Sequence, residues 1–132
     1  MFGKELVGLE SEPVLLKIRP DAVQRFAEAS GITFDNRVPP TFVGTLMQAD
    51  IAGLQLPIKG MIHGEQKFIY YRQLYVGDSL TYKRRIKHVY EREGQLGKMT
   101  FMVIETLGYD LLGELIYSSS STLIATAKGE EA

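Results

Sequence analysis

Residues 39–57 read PPTFVGTLMQADIAGLQLP, a stretch in which apolar side chains recur every three or four positions. That spacing is the period of an α-helix. Pro40 suits a first helical turn, and Pro57 prevents the helix from continuing. Apolar residues cover most of the circumference and Asp50 is the only formal charge, so the pattern predicts a buried helix over 41–56. At 1.5 Å per residue it would be about 22 Å long, too short to span a membrane.

Shorter elements are predicted before this helix and longer ones after it. Upstream, residues 14–18 are typical of a strand, and Pro20 opens a helix that Gly31 ends. Downstream the apolar period changes to two. We therefore expect strands over 61–75, from Leu80 to about residue 91, over 99–107 and over 114–126. Turns at 77–78, 94–97 and 110–113 separate them.

The length of these strands predicts how the elements pack. Strands of ten to fifteen residues are longer than the usual five or six, and long strands twist and coil. The concave side of a coiled sheet is then filled by the apolar helix. We predict an α+β fold, a curved antiparallel sheet wrapped around one long central helix, in a single domain over 1–132. Residues 1–12 are expected to form a loosely held arm.

Alternation along the strand that begins at Leu80 predicts its two faces. Even positions, including His88 and Tyr90, are expected on one face. Lys83, Arg85 and Lys87 fall on the other. This basic trio is either a solvated sheet face or a docking site for an acidic protein or for phosphate groups.

Composition narrows the classes of function. The chain has 132 residues, a net charge of −1 and no cysteine. The charge argues against nucleic acid as a partner, and the missing thiols exclude disulfides, cysteine nucleophiles and cysteine-ligated zinc. The start has no apolar run of signal-peptide length. We expect a cytoplasmic protein that has no membrane partner and no cofactor.

Four motifs in order resemble those of a known family. They are residues 26–31 (FAEASG), 39–42 (PPTF), 62–68 (IHGEQKF) and 72–80 (RQLYVGDSL). Together they resemble the MaoC-like dehydratases, and most of all their N-terminal, fatty-acid-synthase-type dehydratase domain. The resemblance covers about residues 13–126. It implies the hot-dog fold, a dimer or double hot dog, and activity on trans-2-enoyl or (R)-3-hydroxyacyl thioesters of coenzyme A or acyl carrier protein.

The resemblance also implies a catalytic loop, and here this sequence departs from the family. Active members carry an Asp and a His in a loop that reads roughly Gly-Asp-x-Asn-Pro-x-His, directly after the helix that ends in Ser-Gly. Here Ile32 stands in place of the Asp, and residues 31–38 contain no His. Isoleucine can neither accept a proton nor orient a water molecule, so the acid–base pair that hydration needs is missing.

Two other residues are candidates for the missing acid and base. Asp35 lies three positions after Ile32, and His63 begins the strand after the central helix. The alternative is that Asp35 belongs to a polar turn and His63 is a hydrogen-bonded strand residue.

Substrate binding is predicted at the start of the central helix. Thr41, Phe42, Val43 and Gly44 form its first turn, where backbone N–H groups lack intrahelical acceptors and the helix dipole is positive. Such N–H groups can hold a thioester carbonyl, and Gly44 permits a close approach. The alternative is an ordinary helix start capped by Thr41 or water.

Three functions remain open. The first is a subunit of an (R)-specific enoyl-thioester hydratase or 3-hydroxyacyl-thioester dehydratase that shapes the acyl site while a MaoC-like catalytic partner supplies the acid and base. The second is a non-catalytic homo-oligomer that binds acyl thioesters. The third is an acyl-CoA thioesterase that uses Asp50 or Glu65, because hot-dog thioesterases place a carboxylate on this helix.

Aromatic side chains on both faces of one strand predict an oligomer. Phe68 and Tyr70 fall on one face, and Ile69, Tyr71 and Tyr75 fall on the other. Burial of both faces needs a second subunit in addition to the chain's own core. We expect a dimer or a larger assembly with this strand near the interface.

Overall fold

The computed structural model describes residues 4–45, 51, 61–95 and 97–126. In this part the chain forms β1 (Val14–Lys17), α1 (Pro20–Ser30), β2 (Met61–Tyr70), β3 (Ser79–Gly94), β4 (Gly97–Tyr109) and β5 (Leu115–Thr126). Short 3-10 helices occupy Lys4–Leu6 and Phe42–Thr45. The strands form one antiparallel sheet in the order β1-β3-β4-β5-β2. The α+β class and the antiparallel sheet are therefore confirmed.

Helix α1 begins and ends where the sequence predicts. Pro20 stands at its first position, where a missing N–H costs nothing. Gly31 adopts a left-handed conformation with φ of 71°, and its N–H bonds back to the last turn. Val23 and Ala27 are buried on the face toward the sheet, so the helix is held by one apolar face.

The three long strands are confirmed, but β2 is shorter than expected. Strands β3, β4 and β5 have 16, 13 and 12 residues, and glycines with positive φ, among them Gly77, Gly97 and Gly113, lie at the predicted turns. The expectation of a strand over 61–75 is wrong beyond Tyr70. After Tyr70 the chain bends away, and residues 72–78 instead form a folded segment described below.

A β-bulge in β3 makes part of the predicted face wrong. The register with β4 shifts between Ile86 and His88. An extra residue in one strand exchanges the faces of everything that follows it. Ile86 is buried as expected, but His88 is exposed and Val89 takes the buried position.

One row of residues crosses the sheet on its buried face and is rich in tyrosine. Tyr82 pairs with Gly108, Gly108 with Tyr117, and Tyr117 with Tyr70. Tyr82 and Tyr117 are fully buried and belong to the larger core cluster, against which Tyr70 packs. A methyl group on Gly108 would overlap the ring of Tyr117. Glycine is required there because the ring lies directly over the backbone.

The described part of the N-terminal arm is docked, which corrects the expectation of a loose segment. The N–H of Gly8 donates to the carbonyl of Ile86 at 2.9 Å, and the N–H of Ser11 donates to that of Arg84 at 2.8 Å. Leu6 and Leu9 pack against a second core cluster. Residues 4–11 therefore extend the β3 edge of the sheet.

Most of the predicted central helix lies outside the described residues. Of 41–56, the structure describes residues 41–45 and Ile51. Residues 42–45 form a 3-10 turn, with Phe42 and Val43 in the larger core cluster, and Ile51 is buried in the second cluster. No helix in the described ranges is both long and apolar enough to cross a lipid bilayer.

Candidate functional site

The loop that follows α1 runs beside the segment 72–78. The N–H of Val38 donates to the carbonyl of Leu74 at 2.9 Å, and the N–H of Val76 donates to that of Asn36 at 2.9 Å. Arg37 and Tyr75 form an isolated antiparallel bridge between these bonds. The loop 31–38 is thus fixed by a short ladder to residues 74–76.

Two polar side chains stabilise the conformation of the segment 72–78. The carboxylate of Asp78 accepts hydrogen bonds from the N–H of Tyr75 at 2.9 Å and the guanidinium of Arg72 at 3.2 Å. The amide of Gln73 donates to the carbonyls of Leu74 at 2.8 Å and Val38 at 3.3 Å. The motif at 72–80 therefore has a structural role, because it ties the loop to the sheet.

Asp35, the predicted acid–base candidate, is paired within its own loop. Its carboxylate accepts hydrogen bonds from the backbone N–H of Arg37 at 2.7 Å and from its guanidinium at 3.0 Å. The side-chain hydrogen bond from Arg37, reinforced by the backbone one, lowers the pKa of Asp35 below its ordinary value. A lowered pKa makes the carboxylate a weaker proton acceptor. This arrangement is the Asx-type polar turn that was the alternative interpretation.

Ile32, which the resemblance places where the family has an Asp, is 43% exposed. Its N–H donates to the carbonyl of Ala27 at 2.9 Å and completes the end of α1. Phe34 in the same loop is also exposed. An apolar side chain offers no proton donor or acceptor, so this side of the loop can contribute shape and apolar contact only.

The predicted substrate-binding turn is described at 41–44. The side chains of Phe42 and Val43 are buried in the core and Thr41 is exposed. The N–H of Phe42 donates to the carbonyl of Pro39 at 3.0 Å, so this one group of the four is already used. Phe26 of α1 packs edge to face against Phe42, with ring centroids 5.5 Å apart. This contact holds the turn 41–44 against α1.

A pocket of about 300 Å³ opens between this turn and the end of β2. Its lining residues are Val38, Pro40, Tyr70, Tyr71, Arg72 and Gln73. The volume is at the lower end of the range for small-molecule sites, about 300–1,000 Å³. The pocket therefore has room for a short acyl group, and both the loop and the start of the predicted helix contribute to its wall.

Two buried tyrosine hydroxyls near this pocket have no hydrogen-bond partner within the described chain. They belong to Tyr70, which lines the pocket, and Tyr117, whose side chain is fully buried. The two ring centroids are 6.2 Å apart. Burial raises the pKa of Tyr70 to about 12 and raises that of Tyr117 further. Both are neutral donors at physiological pH, and each unpaired hydroxyl costs about 1–3 kcal/mol.

Sequence reasoning missed this tyrosine pair. Tyr70 was assigned to a subunit interface and Tyr117 was not considered. The available signal was the arrangement of Tyr117 and Gly108 on two strands joined by a predicted hairpin, since a glycine opposite an aromatic residue indicates a ring lying over the backbone. The unpaired state of the hydroxyls depends on three-dimensional packing, and no sequence pattern carries it.

The remaining candidates are only partly described. The backbone of His63 lies in β2 opposite Leu123, whereas its side chain is outside the described part of the structure, as is all of Asp50. Glu65 is exposed and its carboxylate lies 3.4 Å from the ammonium of Lys67. A solvent-facing ion pair of this kind does not favour a role as the base of a thioesterase.

Each cation of the basic trio of β3 pairs with a nearby carboxylate. Lys83 pairs with Glu10 at 3.1 Å, while Arg85 at 2.6 Å and Lys87 at 3.6 Å both pair with Glu105. Only 12% of the Glu105 side chain is exposed. These pairs favour a structural sheet face over a docking site for phosphate.

Comparison with protein families gives one match, to the model described as "FAS1-like, dehydratase domain region", over residues 5–119. No curated protein sequence matches the chain significantly. The match covers most of the described sheet, α1, the loop at 31–38 and the segment 72–78.

Solved structures give similarities at low sequence identity. A chain of the HadBC (3R-hydroxyacyl-ACP dehydratase) complex from Mycobacterium tuberculosis has a TM-score of 0.71 at 20% identity, covering 91% of this chain and 97% of that one. A chain of the ChsH1-ChsH2 complex from the same organism has a TM-score of 0.72 at 13% identity, covering 89% and 84%. The R-hydratase PhaJ1 from Pseudomonas aeruginosa has a TM-score of 0.63 at 19% identity, covering 91% and 81%. These similarities confirm the predicted hot-dog fold.

Proposed function

The chain belongs to the family of FAS1-like dehydratase domains, and on that premise we propose that it is a subunit of an (R)-specific enoyl-thioester hydratase or 3-hydroxyacyl-thioester dehydratase. In this proposal it shapes the acyl-thioester site, and a MaoC-like partner subunit supplies the acid and the base. The whole chain, 1–132, acts as one hot-dog domain in the cytoplasm.

The observation that carries the proposal is the loop at 31–38. It follows α1, the position that the resemblance gives to the family's catalytic loop, and it is tied by backbone hydrogen bonds to residues 74–76 beside a pocket. Its chemistry is different, because Ile32 is apolar and the carboxylate of Asp35 is already paired with Arg37. Hydration needs one group to take a proton from water and another to protonate C2. A partner must provide them.

The edge strand β2 is the surface that we propose for this partner. In the sheet order β2 is a terminal strand, so the described structure leaves its outer edge unpaired. Ile62, Ile69 and Tyr71 on or next to it are 44%, 53% and 59% exposed. An exposed apolar edge is favourable for association. Two of the similar structures, HadBC and ChsH1-ChsH2, are complexes of two different subunits, which supports a heteromeric assembly over a homo-oligomer.

The thioester carbonyl is proposed to bind at the turn 41–44. The N–H of Phe42 is used by Pro39, and Gly44 lies inside the 3-10 helix Phe42–Thr45, whose i→i+3 hydrogen bonds use its N–H. The N–H of Val43 is therefore the proposed donor. Pro40 lines the pocket directly before this turn. An acyl chain held there would extend along Val38 and Tyr70, and its thioester would link it to coenzyme A or acyl carrier protein.

Reconstitution tests the proposal. The purified chain is mixed with a MaoC-like subunit that carries the intact Asp and His loop, and hydration of crotonyl-CoA is followed. We expect a rate above that of the partner alone and no dependence on Asp35, so that Asp35→Asn leaves the rate of the mixture unchanged. A mixture no faster than the partner alone, for every partner of this class tested, would contradict the proposal.

A matched pair of variants tests whether the β2 edge is the surface that contacts the partner subunit. Ile69→Asp on β2 should abolish the stimulation, because it places a charge in the proposed interface. Leu15→Asp is the control, since Leu15 is 70% exposed on β1 at the opposite edge of the sheet. Equal effects of the two substitutions would exclude the β2 edge as the contact.

A further inference from the structure

The pocket between the turn 41–44 and the end of β2 has a polar mouth and an apolar floor. At the mouth, Tyr71, Arg72 and Gln73 line it with exposed side chains. The floor is formed by Val38, which is buried in the larger core cluster, and by Tyr70, which packs against that cluster. The apolar tail of an acyl thioester would point toward this floor, because the tail gains free energy when it leaves water.

The ring of Tyr70, and not its hydroxyl, is the part of this residue that a ligand meets. The hydroxyl is buried in the core and has almost no accessible surface. Tyr70 nevertheless lines the pocket, so the flank of its ring forms the surface of the floor. An aromatic ring offers apolar contact to a methylene chain, and it also blocks the chain from going deeper.

The packing behind Tyr70 prevents its ring from moving aside. The ring of Tyr117 lies behind it, with the two centroids 6.2 Å apart. Tyr117 is fully buried, and it lies so close over Gly108 that a methyl group on that residue would overlap its ring. A close-packed interior has no space into which a ring can be displaced. The pocket therefore ends at Tyr70.

The volume of the pocket sets the length of chain that it admits. At about 30 Å³ for each water molecule in the liquid, 300 Å³ corresponds to roughly ten non-hydrogen atoms. The oxygen and the sulfur of the thioester take two of these places. A chain of about eight carbons fills the remainder, and further methylene groups would have to stay in water.

We propose that Tyr70 limits the length of the acyl chain, so that this site takes short- and medium-chain acyl thioesters of up to about eight carbons. The inference rests on the proposed function and deepens it, because it names the substrate class and the residue that determines it. The ring of Tyr70 is the stop, and Tyr117 over Gly108 is the support that makes the stop rigid.

Calorimetric titration of the purified chain with acyl-CoAs of increasing length tests this limit. The ligands are butyryl-CoA, hexanoyl-CoA, octanoyl-CoA and dodecanoyl-CoA. Each buried methylene group raises affinity by up to about fourfold, so the wild type should gain affinity from butyryl-CoA to octanoyl-CoA and gain nothing further with dodecanoyl-CoA. In Tyr70→Ala the affinity should rise again, by at least about tenfold from octanoyl-CoA to dodecanoyl-CoA, because the space in front of Tyr117 is open.

Matched variants separate the ring from the hydroxyl and the floor from the mouth. Tyr70→Phe keeps the ring and should keep the wild-type limit. Tyr71→Ala removes an aromatic ring at the mouth, where Tyr71 is 59% exposed, and should also keep it. Because Tyr70→Ala removes packing from the core, the smaller truncation Tyr70→Leu is titrated in parallel. It should show the same renewed rise by a smaller factor.

Three results would overturn the inference. Affinity that rises without interruption to dodecanoyl-CoA in the wild type would show that the pocket has no floor. An unchanged limit in the folded Tyr70→Ala or Tyr70→Leu protein would assign the limit to another residue, and a longer limit in Tyr71→Ala would assign it to the mouth. In all three cases the chain still binds acyl-CoA and the proposed function stands, whereas failure to bind any of the four ligands overturns both.

Discussion

The loop at 31–38 and the tyrosine pair differ in how their polar groups are used. In the loop, the carboxylate of Asp35 bonds to Arg37, and backbone groups of Asn36 and Val38 bond to residues 74–76. In the pair, Tyr70 and Tyr117 keep two buried hydroxyls without partners. A group whose hydrogen bonds are satisfied within the chain stabilises the fold, whereas a buried group without a partner lowers its stability.

The difference separates polar groups that support the fold from buried polar groups that do not. Catalytic relatives would need reactive side chains on the loop, and this chain has an isoleucine and an internal ion pair there instead. The unsatisfied hydroxyls lie in the sheet and have almost no accessible surface. The comparison therefore assigns a structural role to the carboxylate of Asp35 and no hydrogen-bonding role within the described chain to the two hydroxyls.

The largest expected effect comes from filling the space under the tyrosine pair. In Gly108→Ala the new methyl group overlaps the ring of Tyr117, and the backbone of a central strand cannot move away. We expect a loss of about 3 kcal/mol or more in the free energy of unfolding, measured by urea denaturation. Gly64→Ala is the control, because its methyl group would meet only the mobile end of Ile124, at 2.9 Å. A loss under about 1 kcal/mol for Gly108→Ala would contradict the described packing.

A smaller loss in the free energy of unfolding is expected when Tyr70 titrates at high pH. Its pKa is raised from 10.0 to about 12 by burial, so the folded state keeps the proton after the unfolded state has lost it. Stability from this group is complete below pH 10 and is lost as the pH rises toward 12. Over this interval the loss is at most about 3 kcal/mol, and less because the ring is partly exposed. Tyr70→Phe should flatten the decline, and an unchanged slope would argue against burial of the hydroxyl.

A more modest loss is expected from the segment that supports the loop. Asp78→Asn weakens the acceptor for Arg72 and for the N–H of Tyr75. We expect a decrease of about 1–2 kcal/mol in unfolding free energy by urea denaturation, typical of a hydrogen bond to a charged group. Acyl-CoA affinity should fall with it, because the pocket wall at 72–73 loses its support. Full stability in the variant would mean that the backbone ladder alone holds the loop.

The smallest effect is expected from the loop carboxylate itself. Asp35 is solvent-exposed and its pKa is lowered by Arg37, so its contribution is present at neutral pH and is lost on acidification through the lowered pKa. Exposed pairs contribute little to stability. Asp35→Asn should leave the melting temperature at pH 7 and the affinity for acyl-CoA close to those of the wild type, as measured by differential scanning calorimetry and titration. A strong loss of affinity would give Asp35 a role in the site.

The order of helices, strands and turns along the chain could be predicted from the sequence, because local rules determine where each element begins and ends. Pro20 and Gly31 bound α1, and the glycines at 77, 97 and 113 mark the turns. The departures arise where tertiary contacts override the local pattern. The bulge after Ile86 moves Val89 inward, and β2 ends at Tyr70, ahead of the segment that the Asp78 carboxylate holds.

The candidate site was less predictable. The missing acid–base pair of the loop could be predicted from the sequence, because the prediction depends only on residue identities such as that of Ile32. The pairing of Asp35 and the unpaired hydroxyls of Tyr70 and Tyr117 depend on distances between groups. Those distances follow from the register of β5 with β2 and from the glycine at 108, which no alternation pattern specifies.

The central claim, that this chain binds and shapes but does not catalyse alone, is tested most directly by hydration of crotonyl-CoA by the isolated wild-type protein. We predict a rate indistinguishable from background, because no residue in the described part of the chain is assigned to water activation or to C2 protonation. Ile32→Asp should remain inactive, since no His is present in the loop. Robust hydration by the isolated protein, abolished by Asp35→Asn or His63→Ala, would contradict the account and assign the chemistry to those two residues.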